Sequence, residues 1–288
     1  MPERFLANVG VQSASRVLII LALLFAAAQT RADTPLGKHW IPVFELSDEF
    51  NAESVDPAKW ETTNRYYSGK KPGFYSERNA RTNAGHLELW ARAESDGKAP
   101  AGYRGYTVAY VASKRHMRYG YVEVRAKSIS ARIDCSFWLY RWTESGTYEI
   151  DVFEIGAGAP GHEHSVHTNL HYYLGDPEKE SDQNRRSAPF AFKASHPLAR
   201  DFHVFGLEWD PLELRFFFDD KLIRSVPNTH FHHPMSLRFA TETQADWFGL
   251  PRPGELPGVF LIDYIRVWRD AGQPIEMPGP LPQRPAAR

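Results

Sequence analysis

The sequence predicts an all-β fold in which two antiparallel sheets pack face to face. Short segments rich in aromatic and β-branched residues recur with turn residues between them, and no stretch has a convincing helical period. In the segment YVEVRAK, Val122 and Val124 alternate with Glu123 and Arg125, which is typical of a strand with one buried and one solvated face. The roughly 240 residues between the two chain ends suit one sandwich domain.

The predicted strands follow one another at short intervals from residue 86 onward. They are His86–Ala91, Tyr106–Ala112, Tyr119–Ala126, Ser136–Tyr140, Tyr148–Glu154, Ser165–Tyr173, Phe202–Trp209, Leu214–Phe218, Lys221–Ser225, Met235–Thr241 and Phe260–Trp268. Between two of these strands, Asp219 and Asp220 indicate a hairpin turn, although the usual Gly is missing.

Both chain ends are predicted to lie outside the folded domain. Basic residues precede the apolar run Val17–Ala28, and small residues near Ala32 fit a cleavage site, so residues 1–32 are predicted to be a signal peptide. The apolar run is shorter than the ~20 residues of a transmembrane helix, which makes an uncleaved anchor the less favoured alternative. Residues 273–288 contain five prolines and are predicted to form a Pro-rich disordered tail. We therefore expect a secreted or periplasmic protein without stable membrane association.

Charge and cysteine content exclude several classes of protein. Removing residues 1–32 takes away three Arg and one Glu, so 34 basic and 35 acidic side chains become 31 and 34, a net charge of −3. This balance does not favour binding to nucleic acid. A single cysteine, Cys135, excludes an internal disulfide, so the fold depends on its core. We expect a monomer that requires no cofactor.

Three carboxylates are concentrated in the heptapeptide YEIDVFE. Successive side chains of a strand point to opposite faces, so Glu149 and Asp151 share one face. Glu154 lies five residues after Glu149 and has the wrong parity for that face. One extra residue, a β-bulge at Val152 or Phe153, would bring it back, and bulges are common beside active sites. The segment therefore predicts three acids on one wall.

Carboxylates in this arrangement suit hydrolysis of a glycosidic bond. One acid protonates the leaving oxygen, and a second carboxylate attacks the anomeric carbon or activates water. Glu149 and Glu154 can divide these roles, and Asp151 between them is expected to raise at least one pKa of the trio by like-charge repulsion. Taken alone, the heptapeptide is more simply interpreted as an exposed strand with ordinary surface acids. The neighbouring residues decide between this interpretation and an active site.

Aromatic and histidine residues flank the acidic segment. Trp138, in the predicted strand SFWLY, offers a ring on which a sugar can stack. His167 and His171 lie four residues apart on one predicted strand and therefore on one face. An imidazole there can hydrogen-bond the nucleophile or the substrate. These neighbours favour an active site over a surface strand.

Three long polar segments, residues 62–84, 175–196 and 244–257, separate predicted strands. Loops longer than ~12–15 residues in a compact domain are usually functional or disordered. Their aromatic and basic residues suit a carbohydrate that carries acidic substituents. For any single Lys or Arg, a solvated surface position is the plainer interpretation.

The chain resembles glycoside hydrolase family 16, whose signature is E-[I/L]-D-x-x-E on a strand. Besides YEIDVFE, the stretches that match in order are SDEFN, DPAKW, NAGHLEL, YGYVEVRAK, SFWLY and IDYIRVW. The resemblance as a whole covers about residues 40–269. The resemblance implies a catalytic domain at residues 33–272, a β-jelly-roll sandwich with a substrate cleft on its concave sheet. It also implies a retaining mechanism with Glu149 as nucleophile, Glu154 as acid/base and Asp151 as the residue that tunes the nucleophile.

Within the family, the sequence is most similar to the red-algal galactanase branch, which cuts agar, porphyran, furcellaran or carrageenan. KKPGFYSERN, SFWLY and HHPMSLRFATET carry this likeness, and the E-x-D-x-x-E spacing excludes mainly the lichenase-like type. We therefore expect an endo-acting β-galactanase that acts on a sulfated or unsulfated marine galactan. The expected substrate-binding residues are Trp138, His171, Arg65, Tyr67, Arg141, Glu242 and Trp247. Contacts to sulfate are expected from among Arg65, Arg141, Arg185, Arg186 and Arg238.

Three alternatives stay open at this point. A laminarinase-like β-1,3-glucanase shares the acidic motif, and a catalytically silent carbohydrate-binding lectin would keep the aromatics but has no need of three acids. A zinc site at His162, His164 and His167 lacks the HExxH pattern of zinc proteases. The family resemblance also implies a structural calcium on the convex face, with Asp263 at the usual ligand position.

Overall fold

The computed structural model describes residues 37–272, and strands dominate this part of the chain. The strands are β1 (Trp40–Pro42), β2 (Trp60–Glu61), β3 (Gly73–Tyr75), β4 (Ala80–Asn83), β5 (His86–Ala91), β6 (Tyr106–Val108), β7 (Tyr110–Met117), β8 (Gly120–Lys127), β9 (Asp134–Thr143), β10 (Gly146–Ile155), β11 (Ser165–Leu174), β12 (Arg186–Ser187), β13 (Phe190–Lys193), β14 (His203–Trp209), β15 (Glu213–Phe218), β16 (Lys221–Pro227), β17 (Met235–Glu242) and β18 (Gly258–Asp270). Within residues 37–272, the helical segments are two single 3-10 turns, Glu77–Asn79 and Pro177–Lys179. No helix in these residues is long and apolar enough to cross a membrane.

Two large antiparallel sheets form the domain. The sheet called here the back sheet has the strand order β16-β15-β14-β8-β18-β5-β4, with β1 added to β18. The sheet called the cleft sheet has the order β12-β11-β10-β9-β17-β7-β2, with β13 added to β11. A small parallel pair, β3 and β6, completes the architecture. The predicted all-β sandwich is confirmed.

The core lies between the two sheets and is rich in phenylalanine. Phe153 of β10 is fully buried and packs 4.1 Å from Phe205 of β14 and 6.1 Å from Phe260 of β18, measured between ring centroids. On the cleft sheet, Phe137 lies 4.7 Å from Phe239. Because full burial of a Phe side chain stabilises a fold by roughly 1.5–3 kcal/mol, these rings hold the two sheets together.

Most predicted strands are present, with ends that differ by up to three residues; β9, for example, begins at Asp134 and ends at Thr143. The single predicted strand Tyr106–Ala112 is wrong, because β6 pairs with β3 whereas β7 pairs with β17 of the cleft sheet. The predicted hairpin turn is confirmed. Asp219 and Asp220 have φ values of 44° and 62°, the left-handed conformation that a two-residue hairpin turn requires at both positions.

The long segments predicted as loops are partly structured. Residues 62–84 contain β3, a 3-10 turn and β4, and residues 175–196 contain the other 3-10 turn, β12 and β13. The short strands were missed because each has only two to four residues, too few for a period of two to be visible. Residues 244–257 have no strand, but Gln244 and Gly249 form an isolated bridge.

Candidate active site

Strand β10 places the three predicted acids along one wall of a cleft. Glu149 pairs with His171 of β11, and Asp151 pairs with Asn169. After Asp151 the register shifts, so that Glu154 pairs with His167. Three residues of β10 therefore stand opposite two of β11, which is a one-residue bulge. All three carboxylates line a cleft of about 1350 Å³ on the cleft sheet.

The bulge directs apolar residues into the core and acids into the cleft. Against β9, Asp151 pairs with Trp138 and Phe153 pairs with Phe137, which leaves Val152 as the extra residue. Val152 and Phe153 are both buried in the core. The predicted bulge is confirmed, and it restores Glu154 to the face that Glu149 and Asp151 share.

His171 lies between two of the acids. Its Nε2 atom is 3.3 Å from Oδ2 of Asp151 and 4.0 Å from Oε1 of Glu149. Its Nδ1 atom is 2.6 Å from Oγ of Ser187 on β12, and this contact fixes the orientation of the imidazole ring. Asp151 Oδ2 is buried and has no aligned hydrogen bond, so His171 approaches it as a close contact. One donor atom from each of Glu149, Asp151 and His171 lies within 4.8 Å of the others, which is near enough to hold a cation.

A guanidinium group faces the same acids. Nη1 of Arg185, from the segment between β11 and β12, lies 3.7 Å from Oε1 of Glu149. The pKa of His171 is lowered by burial, and Arg185 acts in the same direction against the opposing effect of Glu149. A neutral imidazole beside a carboxylate can donate one hydrogen bond without adding a charge. Arg185 therefore supplies the positive charge nearest to the Glu149 carboxylate.

Burial raises the pKa of two acids of the trio. The pKa of Asp151 is well above its ordinary range because the carboxyl is buried and because Glu149 lies next to it. The pKa of Glu154 is also raised, first by burial and then by the charges of Asp151 and Glu149. A carboxyl group that keeps its proton near neutral pH is what a general acid requires.

Glu242, at the end of β17, belongs to the same group of acids. The hydroxyl of Tyr75 donates a short hydrogen bond to Oε1 of Glu242. Burial raises the pKa of Glu242 to about 7, against the opposing effects of Tyr75 and Lys70. Asp134, at the start of β9, is buried and pairs with Glu242 of β17, and burial and the charges of Glu154 and Glu242 raise its pKa.

An aromatic surface lies beside the acids. Trp138 of β9 lines the cleft, and the Arg238 guanidinium is 4.8 Å from its ring centroid and 4.3 Å from that of Tyr140. On the other side, the ring of Trp247 is 4.8 Å from that of His167. Rings of this kind present flat apolar faces to a sugar.

The structure brings together every residue predicted to bind substrate. The cleft is lined by Arg65, Tyr67, Trp138, Arg141, His171, Glu242 and Trp247. Of the other arginines expected to contact sulfate, Arg185 and Arg238 also line the cleft. Arg186 does not, because it pairs with Tyr172 and therefore lies on the face of the sheet opposite to that of His171. Their individual roles in binding stay predictions.

Two predicted metal sites have surroundings that do not suit a metal ion. Nη1 of Arg125 lies 2.5 Å from Oδ2 of Asp263, and Nε2 of His86 lies 3.7 Å from Oδ1. A calcium ion takes six to eight oxygen ligands, so a carboxylate that already pairs with a cation does not fit that ion. In the alternative zinc site of His162, His164 and His167, Nδ1 of His164 lies 3.1 Å from the Ala194 carbonyl oxygen, so this nitrogen already has a partner.

Several lining residues were missed, and three of them are chemically informative. Asp134, His116 and Trp142 line the cleft, and none of them was singled out from the sequence. Asp134 could have been found, because alternate residues of a strand share a face and Asp134 lies four positions before Trp138. His116 and Trp142 depend on where β7 and β9 meet β17, which no local pattern reveals.

Comparison with known proteins assigns the family. A model described as the beta-porphyranase A–D, GH16 domain matches residues 40–270. The chain belongs to glycoside hydrolase family 16. This confirms the resemblance carried by E-I-D-V-F-E, and within family 16 the match falls on the galactanase branch.

Individual relatives of this family 16 chain include enzymes named for different substrates. A beta-porphyranase B from Phocaeicola plebeius is 26% identical over 257 residues, 75% of this chain and 78% of the relative. A beta-glucanase from Rhodothermus marinus is 28% identical over 289 residues, 88% of this chain and 94% of the relative. The crystal structure of porphyranase B from Zobellia galactanivorans superposes with a TM-score of 0.72 at 24% identity, covering 84% of this chain and 97% of the other. The last likeness confirms the family 16 jelly-roll fold.

Proposed function

We propose that this family 16 enzyme is an endo-acting, retaining hydrolase of the β-glycosidic bonds of a marine galactan. The observation that carries the proposal is the wall of β10, where Glu149, Asp151 and Glu154 face one open cleft across a bulge. Two carboxyl groups on one wall, one of them with a raised pKa, are the parts that glycoside hydrolysis needs.

Each acid has a role that its surroundings favour. Glu149, near Arg185, attacks the anomeric carbon as a carboxylate and forms a glycosyl-enzyme. Glu154 gives its proton to the leaving oxygen and then takes a proton from the water that hydrolyses the intermediate. Asp151 is buried between Glu149 and Glu154 and contacts His171. It keeps the nucleophile Glu149 in position and tunes its charge. These roles carry over the family assignment made from the sequence.

A galactan is favoured over a glucan by the cleft's cationic and aromatic lining. The pKa of Arg141 is lowered by burial, and its Nε atom is buried without a hydrogen-bond partner in the part of the chain that the structure describes. The Nε1 atom of Trp142 is likewise buried without a hydrogen-bond partner among the described residues. Unpaired buried N–H groups in a binding cleft favour a ligand that supplies acceptor oxygens, because leaving them unpaired costs about 1–3 kcal/mol each. A sulfate ester offers several such oxygens together with a negative charge.

The similarity to porphyranases supports the same class of substrate. The matching domain description and a relative from Phocaeicola plebeius both carry that name. We therefore propose a sulfated galactan of the porphyran type as the first substrate to test. Arg141 and Arg238 are the arginines proposed to meet its sulfate.

A reducing-sugar assay on agarose, porphyran, furcellaran, κ-carrageenan and laminarin tests the proposal. We expect activity on at least one galactan, highest on a sulfated one, with a rapid fall in viscosity that marks endo cleavage. Chemically desulfated polymer should be a poorer substrate for the wild type. For Arg141→Gln, which cannot pair with sulfate, the difference between native and desulfated polymer should shrink. Activity on laminarin alone would contradict the galactan assignment.

A laminarinase-like β-1,3-glucanase is the second candidate. The beta-glucanase from Rhodothermus marinus, which matches over most of both chains, is the observation that favours it. The same assay separates the two, because a β-1,3-glucanase releases reducing ends from laminarin and leaves every galactan intact. A lectin of this fold would release none from any polymer, and its Glu149→Gln variant would behave like the wild type.

A further inference from the structure

A second group of side chains with metal-binding chemistry lies away from the cleft. His203 is the first residue of β14, Asp219 lies in the turn between β15 and β16, and His196 lies in the segment that joins β13 to β14. None of the three lines the cleft. They meet at the place where the chain passes from the cleft sheet to the back sheet.

The three side chains present their donor atoms to one another. One donor atom from each of His196, His203 and Asp219 lies within 4.8 Å of the other two. Nδ1 of His203 is 2.8 Å from Oδ2 of Asp219, while Oδ1 of Asp219 accepts a hydrogen bond from the backbone N–H of Val204. Nδ1 of His196 is 3.0 Å from Oγ of Ser195, so Nε2 is its available nitrogen. Two imidazoles and one anchored carboxylate thus face a common point.

The His203 ring is held rigidly and is not fully satisfied. It is 3% exposed and stacks 5.0 Å from the ring of Phe218, with the ring of His196 4.9 Å away. Its Nε2 atom is buried and has no hydrogen-bond partner within residues 37–272. Leaving this nitrogen unpaired costs free energy, but the nitrogen that faces Asp219 and the common point is Nδ1.

We propose that His196, His203 and Asp219 bind a divalent transition-metal ion of the zinc type. Two imidazoles and a carboxylate are ligands that zinc accepts, whereas calcium and magnesium prefer oxygen alone. Tetrahedral zinc with bonds of about 2.0–2.2 Å spaces its donors about 3.3–3.6 Å apart. The donors all lie within 4.8 Å of one another, and the 2.8 Å contact between His203 and Asp219 would open by about 0.5–0.8 Å to admit the ion. The Asp219 side chain is 41% exposed, so water can complete the coordination.

The position of this site indicates a stabilising role. An ion there would join the segment before β14 to the β15–β16 turn, since His196 and Asp219 are 219 − 196 = 23 residues apart. The segment continues directly from β13, whose Phe190 and Ala191 line the cleft. Phe192 of β13 also packs 5.6 Å from Phe218, beside the proposed site. Metal binding would therefore fix one edge of the cleft sheet without touching the reacting atoms.

Two other groups in the molecule must be distinguished from this site. Nδ1 of His162 and Nε2 of His167 lie 3.2 Å apart in the cleft region. The cluster of Glu149, Asp151 and His171 also has its donors within 4.8 Å of one another. A metal at either place would lie in the cleft and would be lost with His167 or His171, not with His196.

Calorimetric titration of the untagged, chelator-treated full chain with ZnCl₂ tests the proposal. We expect one tight equivalent of zinc, and a rise in Tm of about 5–10 °C at a zinc concentration roughly 100 times Kd. His196→Gln and Asp219→Asn, which keep the size of the side chains, should each weaken this binding at least tenfold and remove the rise in Tm. Both readouts are independent of glycoside hydrolysis.

Two variants serve as controls. His39→Gln removes an exposed histidine outside the site and should bind zinc like the wild type. His167→Gln removes a cleft histidine and should also keep the tight equivalent. The proposal is overturned if the chain binds no zinc, if His196→Gln binds it unchanged, or if His167→Gln loses it.

Discussion

Nε2 of His171 lies 3.3 Å from Oδ2 of Asp151, across the β10–β11 pair. The imidazole is held on its other side by Ser187, 2.6 Å from Nδ1. Because burial lowers the pKa of His171, the ring is neutral at pH 7 and can donate one N–H to an acid. The same Nε2 atom is 4.0 Å from Oε1 of Glu149, so His171 lies next to both acids that precede the bulge. His171 is therefore a positioning residue for the nucleophile.

Replacing His171 by Asn should lower kcat by about 10–100-fold, which corresponds to roughly 1.4–2.7 kcal/mol of lost positioning of the acids. KM for the polysaccharide should change less, because the acids move while the aromatic surface stays. Steady-state kinetics over pH 5–9 measure both effects. Ser187→Ala removes the contact to Nδ1 but keeps the His171 imidazole, so it should lower kcat by a smaller factor. Equal losses of kcat in His171→Asn and in a variant outside the cleft, such as His39→Gln, would contradict this role.

Glu149→Gln should lower turnover by about 10⁴-fold or more while oligosaccharide binding survives, because an amide cannot serve as the nucleophile. In Glu149→Gly, azide should enter the space of the lost carboxylate and restore cleavage of an activated aryl glycoside. Proton NMR should then show a glycosyl azide of inverted configuration, whereas the wild type releases a product of retained configuration. An inverted anomer from the wild type would exclude the retaining mechanism.

Glu154→Ala should lower kcat on polysaccharide by about 10²–10⁴-fold, the range for loss of a general acid. An aryl glycoside with a nitrophenolate leaving group needs little protonation, so its cleavage should fall far less. Because burial raises the pKa of Glu154, its carboxyl keeps the proton to a higher pH than an ordinary Glu and loses it as the pH rises further. The basic limb of the wild-type pH–rate profile should therefore disappear in Glu154→Ala. A limb that persists would assign the proton to another acid.

Glu242 should make stability depend on pH. Its pKa is about 7, above the ordinary value of 4.5, so the folded chain binds more protons than the unfolded chain between these two values. The stability that this group contributes is complete below about pH 4.5 and is lost as pH rises through 7. The loss is on the order of 2–3 kcal/mol. Urea unfolding at pH 5 and pH 8 should show a smaller decrease for Glu242→Gln than for the wild type, and an identical decrease would contradict the assignment.

Much of the fold and of the acidic wall could be predicted from the sequence because both depend on local alternation. A bulge at Val152 or Phe153 followed from the five-residue distance between Glu149 and Glu154, given that both must face one cleft, and the structure places it at Val152. The hairpin at Asp219 and Asp220 followed from turn residues between two apolar runs.

Contacts between distant parts of the chain could not be predicted in this way. Tyr75 and Glu242, which share a short hydrogen bond, are 167 residues apart. Arg238 lies over Tyr140 because β17 pairs with β9, a pairing that skips the strands between them in sequence. The short strands β12 and β13 form against the edge of the longer strand β11, and their own few residues do not show a period of two.

Because of the bulge, Glu149 and Glu154 lie on the same face of the sheet although they are an odd number of residues apart. Without Val152, the segment would read EIDFE, whose regular alternation already places both Glu residues and the Asp on one face. Loss of Ile150 instead would make Glu149 and Asp151 adjacent and turn one of them toward the core. A residue gained or lost at position 152 therefore changes the length of the row of catalytic side chains without turning any of them inward.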